Sequence, residues 1–199
     1  MARIIDGKLI AAQLRKDCLS RSEKLLADGI RPKLDVIIVG NDPASHQYVN
    51  SRAADCAAVG LASTVHSLNE DTKQSELIEL IETLNADDNV HGILLQMPLP
   101  KHMNPDEVIS HISMQKDVDG FHPQSVGALC IGQPGFVSCT PAGIIQLLKR
   151  SGIEIAGKEC VILGRSNIVG KPMALLMLRE NATVTVAHSR TKDIKEVTK

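Results

Sequence analysis

The chain has 199 residues, and its 22 basic and 23 acidic side chains are interspersed, so no field of one sign is available to hold nucleic acid or an anionic membrane surface. Hydrophobic residues at 43% and charged residues at 23% describe an ordinary globular protein able to bury a core in one or two domains. No apolar run approaches the ~18 residues that span a bilayer, and the amino terminus lacks a signal-peptide pattern, so a cytosolic protein with small-molecule partners is expected.

Residues 8–28 place Leu9, Ile10, Leu14, Leu19, Leu25 and Leu26 at roughly helical spacing, closed by Gly29 and Pro32, and predict an opening helix. The run LDVIIVG at 34–40 is short, β-rich and closed by Gly40, which predicts a strand. It leads through NDPAS into a second helical stretch ending near Gly60. The alternation recurs with a strand at 61–68, a helix at 75–85, a strand at 91–96 and a short helix after Pro105. Strands alternating with helices predict a parallel sheet with covered faces.

The stretch 116–139 is dense in Gly, Pro and His, has weak periodicity, and reads as a long loop that is either functional or a boundary. Thr140-Pro141 then reads as an N-cap followed by proline at the first helical position, with Gly152 as the stop. A strand at 159–164, a glycine-containing turn, the helix PMALLMLRE and a strand at 182–187 form the opening of a nucleotide-binding fold. Two strands are too few for a doubly wound sheet, so further strands are expected beyond Lys199.

Within GRSNIVGKP at 164–172, Gly164 leaves a buried strand and Gly170 lies near a helix start, where orphan amides and the helix dipole can hold a phosphate. The usual G-x-G-x-x-G carries a second glycine where this chain has Ser166, so the turn is equally readable as an ordinary strand-to-helix connection. An NAD site places an acid at the end of the next strand; this chain has His188-Ser189-Arg190, with Arg165 in the turn. Cations and a hydroxyl suit a 2′-phosphate and favour NADP, unless Arg165 and Arg190 are merely solvated charges.

Ser45, Tyr48 and Arg52 stand at i, i+3 and i+7 and share one helix face, which either converges on a ligand or leaves Tyr48 as a half-buried aromatic with a wet hydroxyl. Gln96 closes a strand where open α/β sheets bind ligands, or is a polar strand terminus. Asp117 and Asp119 precede Gly120 and either carry a site or cap turns, and His122 is either an acid/base or structural. No recognisable metal-ligand spacing appears. The five cysteines include no C-x-x-C pair and read as reduced thiols. Trp is absent, with two Phe and one Tyr, so the core must be aliphatic.

Together, VGNDPASHQYVNSR, GILLQMPLP, KDVDGFHP, CTPAG and GRSNIVGKP, in this order, resemble the bifunctional methylenetetrahydrofolate dehydrogenase/methenyltetrahydrofolate cyclohydrolase family along essentially the whole chain. The resemblance implies an α/β folate domain with a parallel sheet over residues 1–139 and a Rossmann-like NADP-binding domain beginning at 140–199. It implies oxidation of 5,10-methylenetetrahydrofolate by NADP and hydrolysis of the product to 10-formyltetrahydrofolate, in one-carbon metabolism and purine biosynthesis, by a homodimer. The catalytic set it implies is Arg52, Tyr48, Gln96 and Asp119. Tyr48 would orient the folate, Gln96 would assist the central group and Asp119 would bind the pterin. Gly164, Ser166, Ile168 and Gly170 would shape the cofactor turn, and Arg165 and Ser189 would hold the 2′-phosphate.

Three departures stand out. The family places lysine where this chain has Arg52, whose guanidinium stays protonated and cannot shuttle a proton near neutral pH. Ser138 stands where proline is common and Ala142 where a larger residue is common, with a local effect expected at the cofactor edge. The remaining Rossmann strands and the last helix of the family would follow Lys199. The alternatives are a non-catalytic, truncated folate-binding remnant or partner subunit, and a generic NADP-dependent reductase, which leaves the first domain's motifs without a purpose.

Overall fold

The computed structural model describes residues 4–42 and 52–199, so Ser45 and Tyr48 lie outside the described residues. The chain divides into two compact units, one of Ala11–Val118 and one of Asp119–Lys199 together with the segment up to Ile10.

Helix α1 (Gly7–Ala27), which belongs to the first unit from Ala11 onward, begins beyond Asp6, whose Oδ1 accepts from the Leu9 N–H at 3.0 Å. It ends where Gly29 adopts φ 79° and the Ile30 N–H returns to the Leu25 carbonyl at 2.8 Å, a left-handed closure that glycine makes without strain. Strand β1 (Lys33–Val39) is flanked by β2 (Ala62–Leu68) and β3 (Gly92–Leu95) in the parallel order β2-β1-β3. A central strand is covered on both faces, which explains why DVIIV is a nearly continuous apolar run.

Ile37 and Val39 face Leu77, Ile81 and Leu84 of helix α3 (Gln74–Ala86), which recur at helical spacing, with Val108 of helix α4 (Pro105–Ser110) in the same cluster. Val36 and Ile38 pack on the other face with Leu34, Leu94 and Val118. Between β1 and β2, helix α2 covers 52–58 of the described residues.

Two polar features hold this unit. Asp35, 1% exposed, is met by Lys33 Nζ at 3.1 Å from Oδ1 and by His66 Nε2 at 2.8 Å from Oδ2. A carboxylate taken out of water needs such partners. Helix α3 has no basic residue in its last turn, and Lys116 supplies one from a distance. Its Nζ donates to the carbonyls of Leu84, Asn85 and Asp87 at 2.9, 2.8 and 2.7 Å, using all three ammonium protons on groups the helix end leaves unpaired. The next residue, Asp117, bridges to Ile93 of β3, so the KDVDG segment is anchored to the sheet.

The second unit contains α5 (Pro123–Cys130), α6 (Cys139–Arg150), β4 (Glu159–Leu163), α7 (Gly170–Arg179), β5 (Thr183–Ala187) and α8 (Ile194–Val197), with β4 and β5 parallel. Its core joins Leu129, Ile145, Ile155, Met173, Leu176, Met177 and Ala182. Flexible thioethers fill the space that aromatic rings fill in other cores.

Helix α5 corrects the expectation of an uninterrupted loop over 116–139. Pro123 sits at its first turn, His122 Nδ1 accepts from the Gln124 N–H at 3.1 Å, and Ser125, Ala128 and Leu129 form a buried stripe too short to register as periodicity. His122 therefore acts as a helix cap. Helix α6 likewise starts earlier than expected, with Ser138 rather than Thr140 at the N-cap.

Replacing Asp35 by alanine strands Lys33 and His66, each about a quarter exposed, against the apolar core. Urea denaturation is expected to show a loss of about 2 kcal/mol, the scale of a charged hydrogen bond. An unchanged midpoint would contradict this account of the buried carboxylate.

Candidate functional site

The turn between β4 and α7 is closed by backbone contact. Gly164 leaves β4 at φ 128°, and its N–H donates to the Ala187 carbonyl at 2.8 Å, tying the turn to the end of β5. A Cβ at Gly170 would run into the Gly164 carbonyl, so only glycine allows this approach. Ser166, where the commoner fingerprint has glycine, serves the turn itself. Its Oγ accepts from the N–H groups of Val169 and Gly170 at 3.2 and 3.3 Å, and its carbonyl accepts from the Lys171 N–H at 3.0 Å. This is the capping chemistry by which serine satisfies orphan amides at a helix start. The Lys171 ammonium reaches back to Asn167 Oδ1 at 2.7 Å.

Beside the turn lies a cavity of about 580 Å³ lined by Leu163, Gly164, Arg165, Ala187, His188, Ser189, Thr191 and Ile194. None of these carries a carboxylate. The segment 188–191 folds on itself: the His188 N–H donates to Thr191 Oγ1 at 2.8 Å and the Arg190 N–H to His188 Nδ1 at 3.2 Å. The structure thus brings Gly164, Arg165 and Ser189 to one cavity and places Ser166, Ile168 and Gly170 in the turn that bounds it. Thr191, which reading the sequence left without a role, shapes this wall. The signal available was a hydroxyl three residues beyond the strand-end histidine.

In the first unit, Arg52 lines a separate groove of about 330 Å³ with Ala11, Leu14 and Arg15 of α1, Leu34 of β1, and Asp55, Cys56 and Val59. Arg15 holds Asp55 at 2.9 Å. Burial pushes the Cys56 thiol above its ordinary range, while the Arg52 guanidinium pulls it down and Asp55 pushes it up. Gln96 stands at the carboxyl end of β3; its N–H donates to the Ile37 carbonyl at 2.8 Å and its amide Nε2 to the Met97 carbonyl at 2.7 Å. The chain just beyond it, Pro98–Pro100, lines a cavity of about 350 Å³ with Val39–Asp42 and Glu70. Asp119 is half-buried in the second unit, beside Gly120.

A parallel α/β chain with a glycine-closed turn beside a cation-bearing, acid-free cavity is a dinucleotide-binding protein. Residues 5–119 match the catalytic domain of the tetrahydrofolate dehydrogenase/cyclohydrolases and residues 138–199 match their NAD(P)-binding domain. The chain belongs to this family. It is 60% identical over 199 residues to the bifunctional protein FolD of Agathobacter rectalis, covering 100% of this chain and 71% of that one. With FolD of Acetivibrio thermocellus the identity is 55% over 198 residues, covering 100% and 70%. Among solved structures, the bifunctional methylenetetrahydrofolate dehydrogenase/cyclohydrolase FolD from Campylobacter jejuni superposes with a TM-score of 0.96 at 47% identity, over 98% of this chain and 69% of that one. The Trypanosoma brucei dehydrogenase-cyclohydrolase complexed with NADP cofactor and inhibitor gives 0.92 at 36%, over 98% and 68%.

Thiol chemistry checks the placement of Cys56. Because the thiolate is the nucleophile, burial that raises the pKa slows alkylation. At pH 8, iodoacetamide is expected to label exposed Cys18, Cys130 and Cys139 well before Cys56 and Cys160, as followed by mass spectrometry; equal rates would refute the packing described.

Proposed function

We propose that the chain oxidises 5,10-methylenetetrahydrofolate to 5,10-methenyltetrahydrofolate with NADP, and that Arg52 limits the following hydrolysis to 10-formyltetrahydrofolate. The observation that carries the cofactor choice is the cavity at the β4–α7 turn, bordered by Arg165, His188 and Ser189 with no acidic side chain. An NAD site needs a carboxylate for the ribose hydroxyls, whereas a 2′-phosphate needs cations and hydroxyl donors. Arg165 and Ser189 hold that phosphate; Gly164, Ser166, Ile168 and Gly170 shape the turn against the rest of the dinucleotide.

The dinucleotide, when bound, supplies the hydride acceptor, and the chain's own residues supply position. Tyr48 stacks on and orients the folate, Asp119 binds the pterin ring, and Gln96 assists the group at position 52. Arg52 offers a fixed positive charge that orients the substrate, which hydride transfer tolerates. Hydrolysis requires proton movement as water adds to the methenyl carbon, and a guanidinium that stays protonated is a poor shuttle. Dehydrogenase activity therefore exceeds cyclohydrolase activity.

The 10-formyl product is a one-carbon donor suited to purine biosynthesis. The chain acts as a homodimer in the cytoplasm, as its family resemblance implies. A non-catalytic folate-binding remnant is not favoured, given 60% identity to a bifunctional relative along the entire chain.

Mixing the purified chain with 5,10-methylenetetrahydrofolate and NADP, with NAD as control, is expected to give NADPH and methenyl absorbance in the NADP arm. Arg52→Lys is expected to raise methenyl hydrolysis at least about tenfold, a fraction of the 10²–10⁴ that full general acid–base catalysis contributes. Hydrolysis unchanged by that substitution would remove Arg52 from the chemical centre.

A further inference from the structure

Ser138 is 3% exposed and occupies the N-cap of α6, yet its hydroxyl makes no cap hydrogen bond to its own helix. An N-cap serine ordinarily accepts from the second or third helical N–H. Here the third helical residue is Pro141, which has no N–H, so one of the two ordinary donors is missing. The Ser138 Oγ donates instead to the carbonyl of Ile168, in the cofactor turn.

That carbonyl belongs to the same peptide group as the Val169 N–H, which donates to Ser166 Oγ at 3.2 Å. One planar peptide is thus gripped from both sides, at its oxygen by Ser138 and at its N–H by Ser166, and rotation of the peptide would break both bonds at once. Val169 itself, at φ −132° and ψ −60°, lies outside the regular helical and extended regions, so local preference alone does not hold this orientation. Among the described residues, the other hydrogen bonds that close the turn come from within 164–171 and from β5.

The segment bearing Ser138 is firmly seated. On its preceding side, Gly120 at φ 65° approaches so closely that a Cβ there would lie 2.8 Å from the Phe136 carbonyl and 2.9 Å from the Val137 Cα. Contact therefore runs through the backbone from Gly120, next to Asp119, by way of 136–137 to Ser138, and through the Ser138 hydroxyl on to Ile168, all within one unit.

We infer that Ser138 is a positioning residue for the dinucleotide: its buried hydroxyl locks the Ile168–Val169 peptide and so presets the shape of the cofactor turn. The inference rests on the reading of 164–170 as the NADP turn. Because Ser138 acts on the turn and not on the 2′-phosphate, its loss weakens NADP and NAD alike.

The test compares wild type, Ser138→Ala and Ser138→Thr by dinucleotide titration and by amide hydrogen exchange. Ser138→Ala is expected to raise the Kd for both NADP and NAD about three- to tenfold, the range for one lost hydrogen bond. It also speeds exchange of the Val169 and Gly170 amides severalfold while leaving the β1 and β3 amides of the first unit unchanged. Ser138→Thr, which keeps the hydroxyl, restores both readouts toward wild type. Unchanged Val169 exchange in Ser138→Ala, or unchanged dinucleotide affinity beside faster exchange, would overturn the inference. Absence of NADP binding by the wild-type chain would instead count against the cofactor reading, and the exchange comparison still decides whether Ser138 locks the peptide.

Discussion

The close approach of Gly170 to Gly164 is the contact on which the cofactor end of the molecule depends. With no Cβ at Gly170, the start of α7 comes against the end of β4, where a side chain would meet the Gly164 carbonyl. That approach lets Ser166 reach the Val169 and Gly170 amides and lets the Gly164 N–H meet the end of β5. The cavity bordered by Arg165 and Ser189 is the space left beside this junction. Loosening the junction would change the cavity wall even if every lining side chain were kept.

The first unit rests on a different constraint, a central strand buried on both sides. Burial of Val36 through Val39 fixes which faces α3 and the opposing residues cover, and the carboxyl ends of β1 and β3 then carry the loops with Gly40 and Gln96. The charged groups buried here are paired rather than removed. Asp35 keeps two basic partners, and Lys116 closes the end of α3 while beginning the segment that leads to Asp119. Along KDVDGFHP, Lys116 and His122 serve helix ends, and the proposed pterin ligand Asp119 falls between them.

Much of this was legible in the sequence because it follows from local rules. The β1 and β3 runs, the helix at Gln74–Ala86 with its apolar spacing, and the glycines bounding the β4–α7 turn all declare themselves within a few residues. What was hidden depends on partners distant in sequence or on stripes too short to show a period. Helix α5 buries three residues in a stretch whose Gly and Pro content signals a loop. Ser138 looked like a departure at the cofactor edge, but its bond to a carbonyl thirty positions away has no sequence signature. Lys116 reads as one of many surface charges until its three carbonyl partners are seen. For the proposed cofactor cavity, the absence of an acid after β5 was readable directly, whereas the contribution of Thr191 to the wall was not.

Selection of NADP is proposed to rest on Arg165 and the acid-free end of β5. Titrating wild type and Arg165→Ala with NADP and NAD tests it most directly. The account predicts that wild type prefers NADP and that Arg165→Ala weakens NADP by about 1–3 kcal/mol, the scale of a charged hydrogen bond lost, with little change for NAD. Equal weakening of both dinucleotides, or no preference in the wild type, would contradict it.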